Sequence, residues 1–199
     1  MVRSDRWWLF YGPKIVTDFR PQQVTCNTDN ISTLSYGLSS AGYDLRLTDA
    51  DLKIFVDDFS KEIDPKNFDR STIDSIPLQH SLQGSYYTLP PYAYALTNTQ
   101  EIITMPVDHI GLVVGKSTYA RCGLHVNTTP LEPARKGQLV LELQNCTPYP
   151  LRVYANEGIA QLLLFCVDLT PQVTYSDREG KYQHQSGITI AKVRSYNND

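Results

Sequence analysis

Apolar and polar residues alternate along much of this chain, and helical periodicity is scarce. In Leu139-Val140-Leu141-Glu142-Leu143-Gln144 the three leucines fall on one strand face, and Val140, Glu142 and Gln144 fall on the other. Residues 92–96, 102–105, 110–114, 151–154 and 160–165 are further short runs rich in apolar residues, several of them bounded by Gly, Pro or Asn. Short strands with regular turn punctuation predict an all-β barrel or jelly roll. Helix is expected only over residues 3–11 and 116–122. No internal repeat and no linker divides the 199 residues, so one domain is expected.

Composition narrows the function classes. Lys plus Arg number 18 and Asp plus Glu 21, a formal charge of −3. A general nucleic-acid binder shows a basic surplus, which is missing here. No apolar run approaches the roughly 18 residues of a membrane helix. The stretch Trp7-Trp8-Leu9-Phe10-Tyr11 is too short and too aromatic for a signal peptide, so a soluble cytoplasmic protein is expected. Cys26, Cys122, Cys146 and Cys166 are scattered, without a C-x-x-C pair, and read as reduced. His80, His109, His125 and His184 lack metal-ligand spacing, and the zinc deaminase pattern is absent. Gly115-Lys116-Ser117-Thr118 resembles the end of a phosphate loop, but position 110 is Ile where that motif needs Gly. Gly37-Leu38-Ser39-Ser40-Ala41 falls one glycine short of a nucleophile elbow.

Four features carry candidate chemistry. Gly115 through Gly123 (GKSTYARCG) holds two cations and two hydroxyls; in a helical turn Ser117 and Arg121 share a face, suited either to a phosphate chain or to a capped surface helix. Glu142 in mid-strand is either a solvent-face residue or a buried base. Burial raises its pKa, and a cation such as Arg121 lowers it. Asp44, in Ala41-Gly42-Tyr43-Asp44-Leu45, either orients a metal-bound water or caps a turn. The polar residues 176–187 form either a solvated tail or a mobile lid that brings Lys181, Tyr182 and Gln183 to a ligand.

These blocks, in this order, resemble the dCTP deaminase family. They are Gly115–Gly123, then VNTTPLEP from Val126, VLELQN from Val140, YANEGIAQ from Tyr154, and GKYQ from Gly180 followed by Gln185. Ser39 through Leu45 is similar to the same family and to its relatives, the trimeric dUTPases. The match runs from about residue 35 to 193. The resemblance implies a dUTPase-like distorted β-barrel with few short helices, assembled as a homotrimer with active sites between subunits. A single domain over 1–199 would carry an N-terminal segment (1–34), a variable insertion (48–85) and a C-terminal lid or tail (171–199).

The resemblance also implies roles. Glu142 would be the catalytic base of a zinc-independent deamination, with Ser117 and Arg121 holding water, base and nucleotide in place. Nucleotide contacts would run through Lys116, Ser117, Thr118, Tyr119, Ala120 and Arg121. Val140 and Leu141 would offer backbone groups to the nucleobase. Gln161 would add a further contact, and Tyr175, Lys181 and Gln185 would close over the triphosphate. Mg²⁺ would arrive with the triphosphate, and no residue is expected to hold a resident metal. The implied partners are dCTP and dUTP, dTTP as an inhibitor, and further copies of the chain, but neither nucleic acid nor membrane. One block departs from the family: Ala134-Arg135-Lys136 precedes Gly137 where many relatives carry an acid and an aromatic. The dUTPase Ile-Asp with a following Tyr is also missing, and the nearest acid is Glu132. A dCTP deaminase is therefore the leading expectation. The alternatives are a coupled deaminase and dUTPase yielding dUMP and pyrophosphate, and a nucleotide-binding regulator without turnover.

Overall fold

A computed structural model describes residues 1–58 and 60–193 of the chain. In chain order its elements are α1 (Asp5–Ile15), β1 (Gln23–Cys26), β2 (Ser32–Ser39), β3 (Gly42–Arg46), β4 (Lys53–Phe55), β5 (Ile73–Ser75), β6 (Gln79–Ser81), β7 (Gly84–Leu89), β8 (Tyr94–Thr104) and β9 (His109–Gly115). After these come α2 (Ser117–Arg121), β10 (Leu124–Asn127), β11 (Lys136–Asn145), β12 (Leu151–Tyr154) and β13 (Gly158–Cys166). The strands form three sheets ordered β1-β2-β3-β13-β9, β10-β11-β8-β4-β5 and β12-β7-β6. Every pairing between named strands is antiparallel. The mainly-β expectation holds, and no helix among the described residues is long and apolar enough to cross a membrane.

The core lies between the two larger sheets. Leu139, Leu141 and Leu143 of β11 are buried, as are Leu162 and Leu164 of β13 and Tyr43 and Leu45 of β3. Each fully buried leucine contributes roughly 1.5–3 kcal/mol from apolar burial. The alternation on β11 therefore commits one face to the core and leaves Val140 and Glu142 half-buried on the other.

Two elements differ from the sequence expectation. Helix α1 continues past Gly12-Pro13 to Ile15. Ile15 and Val16 are buried there, and the Phe19 ring lies so close to Gly12 that a Cβ would meet it at 2.3 Å. Tertiary packing outweighs the local break at proline. The expected strands at 92–96 and 102–105 form one strand, β8, running through the polar residues Thr97, Asn98, Thr99 and Glu101, all buried. Those side chains find partners inside the protein. Thr97 Oγ1 donates to Asp51 O at 3.1 Å, Thr99 Oγ1 accepts from Leu139 N at 3.0 Å, and Glu101 accepts from both Arg46 Nε (2.7 Å) and Arg46 N (3.0 Å). A buried polar group with a partner costs little, so the strand stays intact.

Segment 48–85 is woven into the sheets rather than appended to them. It supplies β4 and β5 to one sheet, and β6 and the first two residues of β7 to another. Residues 194–199, the end of the expected lid segment, lie outside the described residues.

Candidate active site

Strand β11 builds the site's floor. It pairs with β8 on one side, while on the other β10 ends at Asn127, opposite Glu142. Toward its N-terminus the β11 edge meets the chain again at Gly137, bridged to Gln185, where Gln138 N donates to Gln185 O at 2.9 Å. Between these points Val140 and Leu141 have no strand partner on that edge among the described residues. Backbone groups there are open to a ligand. The role that the resemblance implies for Val140 and Leu141 would draw on these backbone groups, since the Leu141 side chain itself is fully buried in the core.

A cavity of about 550 Å³ opens above this edge, lined by Val140, Glu142, Arg135, Tyr175, Lys181 and Gln185, among others. Burial pushes the Glu142 carboxyl up to about 6, against the opposing hydrogen bond from Asn127. A carboxyl poised there both takes and gives protons near neutral pH. The Tyr94 hydroxyl is also raised, by burial and then by the Glu142 charge.

The C-terminal segment is packed against β11 rather than solvated. His184 N donates to Lys136 O at 2.8 Å, Gln183 Nε2 donates to Ala134 O at 3.0 Å, and Tyr182 N donates to the Tyr175 hydroxyl at 3.0 Å. Gly180 sits so close to Tyr175 that a Cβ would meet the ring at 2.1 Å. Gly137 holds φ at +138°, and its Cβ position lies 2.6 Å from Gln185 N, so only glycine admits the crossing segment there. Glu132 forms an ion pair with Arg178.

The other predicted residues gather elsewhere. Lys116 lies between β9 and α2 as the N-cap of the helix, and Ser117, Thr118, Tyr119, Ala120 and Arg121 form α2. Ser117, Thr118, Ala120 and Arg121 are exposed, and Tyr119 is buried, its hydroxyl accepting from Tyr154 N at 2.7 Å. Tyr119 therefore anchors α2 and offers its side chain to the core rather than to a ligand. Arg121 Nη1 donates to Ser117 O at 3.0 Å, so the two do share a face. Lys116 Nζ meets the buried Asp44 carboxylate at 2.7 Å, and Gln23 Nε2 donates to the same oxygen at 2.9 Å. Asp44 thus fixes Lys116 rather than merely capping a turn. Gln161 faces Asp44 and Val114 across the ladders, and its Nε2 donates to Ser39 Oγ at 2.7 Å. None of Lys116–Arg121 or Gln161 lines the Glu142 cavity. Within one chain, the two groups of predicted residues stand apart.

Several cavity residues escaped the sequence reading. Phe55 and Phe68 come from segment 48–85 and form an edge-on cluster with Tyr94, with Phe55 centroids 6.2 Å from Phe68 and 5.7 Å from Tyr94. Asn127 donates to Glu142 Oε2 at 3.3 Å. Its position opposite Glu142 follows from the β10–β11 register, which pattern reading left unassigned. Arg135 belongs to the loop whose added cations depart from the family pattern and bear on nucleobase or phosphate preference. It is buried, at 6 % exposure, and follows Ala134, whose φ of 63° costs a non-glycine residue about 1 kcal/mol.

Comparison with known proteins adds a family. A model of dCTP deaminase-like domains matches residues 12–167. A dCTP deaminase of Nitrosococcus oceani is 42% identical over 194 residues, covering 96% of this chain and 99% of that protein. One from Paraburkholderia xenovorans is 42% identical over 195 residues, with the same coverage. The crystal structure of 2′-deoxycytidine 5′-triphosphate deaminase from Agrobacterium tumefaciens superposes with a TM-score of 0.53 at 15% identity. It covers 83% of this chain and 48% of that one, so this chain spans about half of the solved chain and shares its fold.

Proposed function

The chain belongs to the dCTP deaminase family, and on that premise we propose that it converts dCTP to dUTP and ammonia with water activated by Glu142. The observation that carries the assignment of the base is the Glu142 carboxyl, raised to about 6 on the wall of a nucleotide-sized cavity. Its carboxylate takes a proton from water as the water oxygen bonds to C4 of cytosine, and that proton passes to N3. A second proton passes from the new C4 hydroxyl through Glu142 to the exocyclic amine. The C4–N4 bond then breaks, ammonia leaves, and the C4 carbonyl of uracil remains. The open edge at Val140 and Leu141 orients the ring, and orientation supplies much of the rate.

Lys116, Ser117 and Thr118 bind phosphate in this reading, with Arg121 and Gln161 completing the nucleotide contacts. Tyr175, Lys181 and Gln185 cover the nucleotide from the C-terminal segment. Mg²⁺ belongs to the substrate complex, where it neutralises the triphosphate charge. Among the described residues no three His, Cys, Asp or Glu side chains gather as a metal-holding group.

A homotrimer joins the two half-sites across subunits. Support comes from their separation within one chain and from an apolar stripe on the outer face of the first sheet. There Leu112 and Val114 are 40% and 45% exposed, and the cross-strand pairs Leu163–Leu112 and Phe165–Ile110 extend the stripe. Such a surface favours association.

The deciding experiment incubates the protein and Glu142→Gln with dCTP and Mg²⁺, resolving ammonia, dUTP, dUMP and pyrophosphate. Ammonia with dUTP from the wild type, and a loss of roughly 10²- to 10⁴-fold in the variant, is expected. Undiminished ammonia release from Glu142→Gln removes Glu142 as the base. Pyrophosphate with dUMP identifies the coupled enzyme. Binding of dCTP without turnover identifies the regulator.

A further inference from the structure

Arg135 is an anomaly in the charge distribution of the cavity. Its side chain is buried, yet Nη1 and Nη2 donate only to the Gly137 and Gln138 carbonyls, at 3.2 and 2.6 Å. No carboxylate among the described residues lies within ion-pair distance of it. The nearby acid on the same loop, Glu132, is engaged by Arg178. Burying a cation without a counter-ion is costly, and burial indeed pulls the Arg135 pKa down. The fold tolerates this charge on the wall of the Glu142 cavity, where Lys181 adds a second cation.

The two ends of the cavity floor differ in sign. Gln138, whose carbonyl holds Arg135, and Glu142 are four strand residues apart, about 13 Å at ~3.3 Å per residue. That separation suits an extended nucleotide, with its base at Glu142 and its phosphates at Arg135. We propose that Arg135 is a specificity-determining residue of this chain: its guanidinium receives the phosphate chain of the substrate and makes the site select nucleoside triphosphates over monophosphates. The inference rests on the deaminase reading of the cavity. The guanidinium fork meets phosphate oxygens in a bidentate manner, and the ligand supplies the missing counter-charge.

Steady-state kinetics with dCTP and dCMP on the wild type, Arg135→Gln and Arg135→Lys test this. The effect should fall on KM and grow with phosphate number. Preference for dCTP over dCMP drops roughly 10- to 100-fold in Arg135→Gln, the worth of a charge-assisted hydrogen bond, and by less in Arg135→Lys. An unchanged preference in both variants overturns the proposal. If Arg135→Gln does not fold, Arg135→Lys decides, and wild-type selectivity in it overturns the bidentate role. Calorimetric binding of inorganic tripolyphosphate to the same proteins reads Arg135 without turnover. Equal affinity across them refutes the proposal, whereas a wild type that binds tripolyphosphate through Arg135 yet releases no ammonia refutes the deaminase reading alone.

Discussion

Asn127 and Glu142 face each other across the β10–β11 ladder, and the Asn127 amide donates to Glu142 Oε2 at 3.3 Å. The bond favours the carboxylate, burial favours the acid, and burial is the larger effect, leaving the pKa near 6 rather than the ordinary 4.5. A base must be ionised to take a proton from water. The acidic limb of kcat/KM is therefore expected near pH 6, with activity falling below it. Asn127→Ala removes the bond that favours the charge, so the limb should move to higher pH. A limb that stays in place would show that Asn127 does not tune the base.

The same shift has a stability consequence. The folded carboxyl binds its proton more tightly than the unfolded one, so its favourable contribution is complete below about pH 4.5 and is lost as pH rises through 6. Glu142→Gln removes this dependence. Its Tm relative to wild type should rise between pH 4 and pH 7, as differential scanning calorimetry would record. A difference independent of pH would contradict the buried-carboxyl account.

Mixing variants probes where the two half-sites meet. Glu142→Gln and Arg121→Ala should each be inactive as purified proteins. Refolding them together should regenerate about one intact site in four if each site takes Glu142 from one subunit and Arg121 from its neighbour across a heterologous interface. No recovery of ammonia release would place both residues' contributions within one subunit.

The Lys116–Asp44 pair is buried enough for its loss to register. Lys116→Ala leaves the Asp44 carboxylate with the Gln23 amide as its remaining partner, at an expected cost of about 3 kcal/mol. The double variant Lys116→Met with Asp44→Asn should recover most of that loss, because no uncompensated charge remains. Urea unfolding of the single and double variants measures the coupling, and strict additivity would mean the two do not act as a pair.

Gly137 ties the C-terminal segment to the floor of the cavity. Gly137→Ala brings a Cβ onto the Gln185 backbone at a φ of +138°. A stability loss of roughly 1–3 kcal/mol is expected, with the segment released. Trypsin should then cut sooner at Arg178 and Lys181, and KM for dCTP should rise. Unaltered proteolysis would separate that segment from the β11 contact.

The local code was clear where one residue's neighbours settle its environment. Alternation marked β11 and singled out Glu142, and turn residues bounded β12 and β13. Tyr175, Lys181 and Gln185, singled out through the resemblance rather than by local pattern, line the cavity that Glu142 also lines. The code misled where partners lie far along the chain. The polar middle of β8 reads as a break because Arg46, Asp51 and Leu139, which satisfy it, are distant in sequence. Phe55 and Phe68 look like part of an insertion because nothing local tells them that Tyr94 and Glu142 will stand opposite.

By itself, then, the sequence determined the strand-rich fold, the inward leucines and the identity of the central carboxylate, since period-two patterning and burial of apolar area act over a few residues. Only the tertiary structure decided that Glu142 is raised to about 6, that Arg135 is buried without a carboxylate partner among the described residues, and that Lys116 through Arg121 stand apart from Glu142 in one chain. Desolvation and charge pairing depend on which distant segments close around a group, and that is a property of the folded arrangement of strands.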